Sequence, residues 1–152
     1  MHKGFTIIEF VVTAALIAIV AGISLIALNP VGQLASARNS ERSAHVNALV
    51  MAIRANLADS RTGIFSCAAG DLPTSTAKRM ASGGASGTYN IAPCLVPIYT
   101  TALPYDPLAP GAHYASNDDY DTGYMVMKNA STGQVTVSAP YAESGKVISI
   151  IR

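Results

Sequence analysis

The chain has 152 residues, half of them hydrophobic and only 12% charged, with a mean hydropathy of +0.33. That is too apolar and too poor in charge for a purely water-soluble domain, and the length suits one ordinary domain plus an appended segment. A net charge of +1 excludes an electrostatic case for nucleic acid or for strongly acidic partners.

The apolar excess is concentrated near the start. Met1-His2-Lys3-Gly4 is short and basic, and residues 5–28 then run almost without charge. As a helix this run spans about 36 Å, enough to cross a hydrocarbon core of about 30 Å. Lys3 places the start on the cytoplasmic side and exports the remainder. A removable secretory peptide fits poorly, because the run exceeds the usual ~7–15 residues and no small-x-small site closes it. The segment reads as an anchor. Glu9 is its one ionisable side chain. A carboxylate deep in a bilayer costs about 2.5–3.5 kcal/mol, so it needs an interfacial position or a partner. Cleavage after Gly4 would create that partner, a cationic α-amine on Phe5, which a staggered neighbouring copy could bring to Glu9.

Lys3-Gly4-Phe5-Thr6-Ile7-Ile8-Glu9 resembles the class III signal of type IV prepilins and type II secretion pseudopilins. The likeness covers about the first 30 residues and continues more weakly to Asp59. It implies a leader over residues 1–4, cleavage between Gly4 and Phe5 by a prepilin peptidase, and N-methylation of Phe5. It also implies that Glu9 and Phe5 guide assembly of a helical homopolymer by an inner-membrane pilus assembly machinery. The precursor would sit in the cytoplasmic membrane with its head exported, and the product would be an extracellular fibre.

Residues 5–29 are thus expected to form the transmembrane and assembly helix and residues 30–59 an amphipathic stem. Pro30 lacks a backbone donor and interrupts a helix. By analogy with related filaments, Gly22 to Pro30 is the stretch expected to kink or melt. A plain loop, or Pro30 in the first turn of a new helix capped by Asn29, are the other readings. Val46, Leu49, Val50, Ile53 and Leu57, with Leu34 before them, make one apolar face, while Arg38, Glu41, Arg42, His45 and Arg54 fall mostly elsewhere. Alanines at 35, 37, 44, 48, 52 and 55 keep the stem narrow.

Residues 60–152 form the exported head. An export signal favours a Cys67–Cys94 disulfide over two unrelated buried thiols. Ser82 to Gly87 is a flexible loop without the Lys-Ser/Thr ending of a phosphate cradle. Leu103-Pro104-Tyr105-Asp106-Pro107 resembles the Pro-x-Asp-Pro turn of pilin-like heads. Gly123–Lys128 and Val135–Ala139 alternate around a polar turn and predict a hairpin, with a third strand over Lys146–Ile151. The expected architecture is α+β, pilin-like, with a long N-terminal helix packed on a small antiparallel sheet.

Asn117-Asp118-Asp119-Tyr120-Asp121 offers hard oxygen ligands but not the spacing of an EF-hand, so a solvated turn is preferred to calcium. His2, His45 and His113 are far apart, and no Gly-x-Ser-x-Gly supports a hydrolase. No enzyme activity, metal or cofactor is expected. Asn129-Ala130-Ser131 is a formal glycosylation sequon. The leading reading is a type IV pilin serving adhesion, twitching motility or DNA uptake. The alternatives are a secretion pseudopilin and a membrane-anchored binding domain that never polymerises.

Overall fold

A computed structural model describes residues 4–152, residues 25–28 as helical backbone only. Met1, His2 and Lys3, which carry most of the expected leader and the cytoplasmic charge, lie outside the described residues. The chain divides into two compact units, one ending at Ala35 and the other running from Ser36 to Arg152.

Helix α1 spans Ile7–Leu28 and is apolar on every side. Such a helix suits a membrane span when nothing in its own chain covers it. Ile7–Ser24 is long and apolar enough to cross a bilayer, and Ile17 and Ile23 are among its exposed side chains. Its few hydroxyls are satisfied internally: Thr13 donates to the carbonyls of Glu9 and Phe10 (both 2.9 Å), and Ser24 donates to that of Val20 (2.8 Å). Back-bonding of this kind removes the cost of an unpaired donor in hydrocarbon.

Helix α2, Pro30–Asp59, follows after a single-residue break. Asn29 adopts a positive φ of 39°, a conformation that asparagine tolerates better than most residues. Its Oδ1 accepts from the Gly32 amide (3.3 Å) and its carbonyl from that of Gln33 (3.2 Å). Pro30 is therefore the first helical residue, where its missing N–H costs nothing. Gly32 leaves room for the cap, since a Cβ there would stand 2.7 Å from the Asn29 amide nitrogen.

Beyond α2 come strands β1 (Lys78–Ala81) and β2 (Thr88–Tyr89), the one-turn helix α3 (Ala92–Leu95), then β3 (His113–Ser116), β4 (Asp119–Lys128), β5 (Val135–Ala139) and β6 (Ile148–Ile151). They form one sheet in the order β2-β1-β4-β5-β6, with β3 also on β4. Asp121 pairs with both Ala81 and His113, so β1 and β3 flank opposite edges of β4. The expected hairpin is β4–β5, from Met125 opposite Ser138 to Lys128 opposite Val135, and β6 is the expected third strand. The sheet is mixed rather than purely antiparallel, because β1 and β2 run parallel with Arg79 opposite Thr88. Parallel neighbours usually need a long crossover. Here the pair is only two residues long, and positive-φ glycines at 83, 84 and 87 reverse the chain within one short loop.

The core lies between α2 and the sheet. Inward residues alternate along β4 (Tyr120, Thr122, Tyr124, Val126) and β5 (Val135, Val137, Ala139) and meet Val46, Leu49, Val50 and Ile53 of α2. Arg42, expected mostly off the apolar face, is fully buried. Asn39, Arg42, Val46, Leu49, Ile53 and Asn56 share one helical stripe at spacings of three and four, all buried, apolar in the middle and polar at both ends.

Candidate functional site

The first turn of α1 brings together the residues that the sequence singles out. The Gly4–Phe5 bond lies in exposed, non-helical chain just ahead of the helix, and Phe5 is 71% exposed. Thr6 is the cap. Its hydroxyl accepts from the Glu9 amide (3.3 Å), while Glu9 Oε2 accepts from the Thr6 amide (3.3 Å) and the Thr6 hydroxyl (3.1 Å). Thr6-x-x-Glu9 is thus a reciprocal capping box, which satisfies two amides that a helix start leaves orphaned. The pattern is legible in the sequence, yet the apolar context directs attention to the membrane cost of Glu9 instead. Both hydrogen bonds to its side chain fall on Oε2, and Oε1 makes none among the described residues.

The other N-terminal positions separate. Gly22 lies within unbroken α1, whereas Pro30 opens α2 behind the Asn29 cap.

In the head, Cys67 and Cys94 are joined by a disulfide with their Cα atoms 5.1 Å apart. Asn56 fastens both arms of this link to α2: its amide donates to the carbonyls of Ser66 and Cys94 (both 3.1 Å), and its oxygen accepts from the Ser66 amide (2.8 Å). Tyr120 steadies α3 by accepting from the Ile91 and Ala92 amides (2.8 and 3.1 Å) and donating to Asn90 (2.9 Å).

At the other end of the buried stripe, Arg42 grips Asp106 with two hydrogen bonds, Nε to Oδ2 (2.8 Å) and Nη2 to Oδ1 (3.1 Å). Its Nη1 reaches Glu143 (2.9 Å) and Asn39 (3.0 Å). Arg38 makes a second fork onto Glu143, at 2.7 and 2.6 Å. Burial pushes the Asp106 carboxyl up, but the bonds from Arg42 and from the Leu108 and Ala109 amides outweigh it and hold the group below the usual carboxylate range. Hydrogen bonds from Arg38, then Arg42, lower Glu143 from 4.5 to about 2. The Pro104-Tyr105-Asp106-Pro107 turn is therefore an anchor point for the stem. Nothing in the local sequence points to Arg42, because its partner lies 64 residues away.

The acidic cluster disperses onto protein partners. Asp119 takes His113 (2.9 Å), Asp121 takes Arg79 and the Gly123 amide, and Asn117 accepts from the Tyr114 hydroxyl (2.7 Å). Among the described residues no three His, Cys, Asp or Glu side chains converge as a metal site would require. The sequon asparagine Asn129 is exposed in the β4–β5 turn, its Oδ1 accepting from the Ser131 and Thr132 amides (2.9 and 3.1 Å). Comparison with protein-family models, with curated proteins and with solved structures gives no match.

Proposed function

We propose that this chain is a structural subunit of a filament of the type IV pilin kind. Hydrolysis of the Gly4–Phe5 bond frees the α-amine of Phe5. The apolar α1 holds the subunit in the cytoplasmic membrane and afterwards packs against other copies of itself. Glu9 Oε1 of one copy then receives the Phe5 ammonium of another, and the pair neutralises two charges that hydrocarbon would otherwise penalise. Methylation of the amine keeps its charge and leaves this pairing intact.

The observation that carries the reading is the placement of Glu9: the one carboxylate of an otherwise uncharged helix, one turn after an exposed Gly-Phe bond, held by the Thr6 cap through Oε2 alone among the described residues. A soluble or merely anchored domain gains nothing from that arrangement beyond the cap itself.

Mass spectrometry of fibres sheared from the cell surface tests it. The expected result is abundant chain beginning at N-methylated Phe5, and loss of fibres in Glu9→Gln with precursor still present in the membrane. Recovery only from membranes with Met1 or residues 1–4 retained, or normal fibres from Glu9→Gln, would sink the proposal. Processed chain without surface fibres would point instead to the secretion-piston alternative.

A further inference from the structure

A second charged feature lies in the head, far along the sequence from the N-terminal segment. The last turns of α2 and the β4–β5 turn enclose a groove of about 350 Å³, lined by Arg54, Leu57, Thr132, Gln134 and Arg152 among others. Its charged side chains are both arginines, and among the described residues neither makes an ion pair. Arg152 is fixed at the rim by reciprocal backbone bonds with Val135 (2.7 and 2.9 Å). Arg54 on α2 and Arg152 after β6 thus give the groove two guanidinium groups, donors suited to a carboxylate.

The opposite end of the same strand carries the matching charge. β4 opens at the β3–β4 turn, where Asp118 is exposed and makes no ion pair among the described residues, and where Asp119, paired with His113, is 70% exposed at its side chain. β4 is ten residues long, at most about 33 Å, and the β3–β4 turn lies at its start whereas the groove lies at the turn beyond its end, so the two do not meet within one chain. They can meet between copies. We infer that the Arg54–Arg152 groove is a docking site for the Asp118 turn of a second copy of this chain. The contact is heterologous, joining unlike patches head to tail, and such contacts propagate into open filaments unless the rotation closes a ring. This inference rests on the filament reading above and assigns it a contact in the exported head.

Full-length chain carrying Gln134→Cys and Ser116→Cys, which leave Arg54, Arg152 and Asp118 in place, expressed in the native host, tests the geometry. Sheared fibres run on a non-reducing gel should show a ladder of covalent multimers, absent from either single variant. Charge reversal tests the energetics: Arg54→Glu and Asp118→Arg should each reduce fibre yield about tenfold through like-charge opposition, and the two together in one chain should restore it. Raised salt should weaken the reversed-and-restored fibres and the original ones alike. Fibres of the unsubstituted chain with only monomers in the double-cysteine lane, or unchanged yields from both reversals, would overturn the contact and leave the filament reading standing. Binding of a labelled oligonucleotide through Arg54 without any ladder would likewise overturn it. Absence of fibres from the unsubstituted chain would overturn both.

Discussion

Arg42 has no exposed side-chain surface, and its guanidinium makes four hydrogen bonds to Asp106, Glu143 and Asn39. A buried charge is tolerated only when it has a charged partner and its polar atoms are engaged, and here all three guanidinium nitrogens are bonded. Removing the cation leaves Asp106 buried and uncompensated. Arg42→Ala should therefore lower unfolding free energy by about 3–5 kcal/mol, with Arg42→Lys between the two because an ammonium cannot fork. Urea titration of detergent-solubilised full-length chain, followed by circular dichroism, measures both. The same network sets an acid limit. Asp106 and Glu143 have lower pKa values folded than unfolded, so the unfolded chain binds more protons as pH falls. Their contribution is complete above the ordinary carboxylate value of 4.5 and is lost as pH drops towards about 2. The melting temperature should be flat above about pH 5 and fall steadily below it; a flat profile down to pH 2 would contradict this. The sequence does not disclose the network. Arg42 sits at helical spacing from Val46 and Leu49, but a charged residue beside an apolar stripe reads as its solvent edge. Thr6 and Glu9 show the reverse case, where four consecutive residues contain the whole capping signal.

Among elements, β5 and the Gly123–Lys128 half of β4 were legible because alternation over several residues reflects one buried and one open face. Asp119-Tyr120-Asp121, expected as a solvated turn, instead opens β4 with Tyr120 buried, since two flanking acids hide the inward residue. β1 and β2 were not: strands of four and two residues, with Lys78 and Arg79 in the first, carry too little period to recognise. β4 itself bends at Gly123, whose φ is +74°, between the half paired with β3 and the half paired with β5. A Cβ there would lie 2.7 Å from the Ala109 Cβ and 3.0 Å from the Asp106 Cβ. Neither neighbour is a flexible side-chain end, so the turn that presents Asp106 must shift. Gly123→Ala should cost about 3 kcal/mol from left-handed strain and overpacking together, and should weaken the Arg42 fork as well. A control at Gly133, also at positive φ but with open space around it, should cost only the strain. Comparing the two melting curves separates the contributions.

For the molecule as a whole, the boundary between compact units falls inside α2, between Ala35 and Ser36, and not at the Asn29 break. Sequence places the change of character at Pro30, where hydropathy drops. The packing places it where the first side chains bonded to the head appear, at Arg38 and Asn39. Every buried polar side chain among the described residues from Ser36 onward has a partner. A chain beginning at Ser36 should therefore be soluble without detergent and melt within a few degrees of the full-length protein. Aggregation or loss of cooperative melting would show instead that α1 contributes to the stability of the head. The α+β class and the apolar start were legible because both follow from periodicity and hydropathy over long windows. The mixed sheet was not, because its one parallel pair depends on glycine conformations in a short loop.

The buried stripe of α2 also has a mechanical consequence. Its polar clamps, Asn39 and Arg42 at one end and Asn56 at the other, lie about 26 Å apart along the helix axis. A pull along that axis loads them in shear, all at once, and neither can peel before the other. Tension applied between the start of α2 and Arg152 should accordingly rupture the head in a single step, and Arg42→Met should lower the force at which it occurs. Optical-tweezer traces showing a gradual, stepwise unzipping of α2 would rule out that load path.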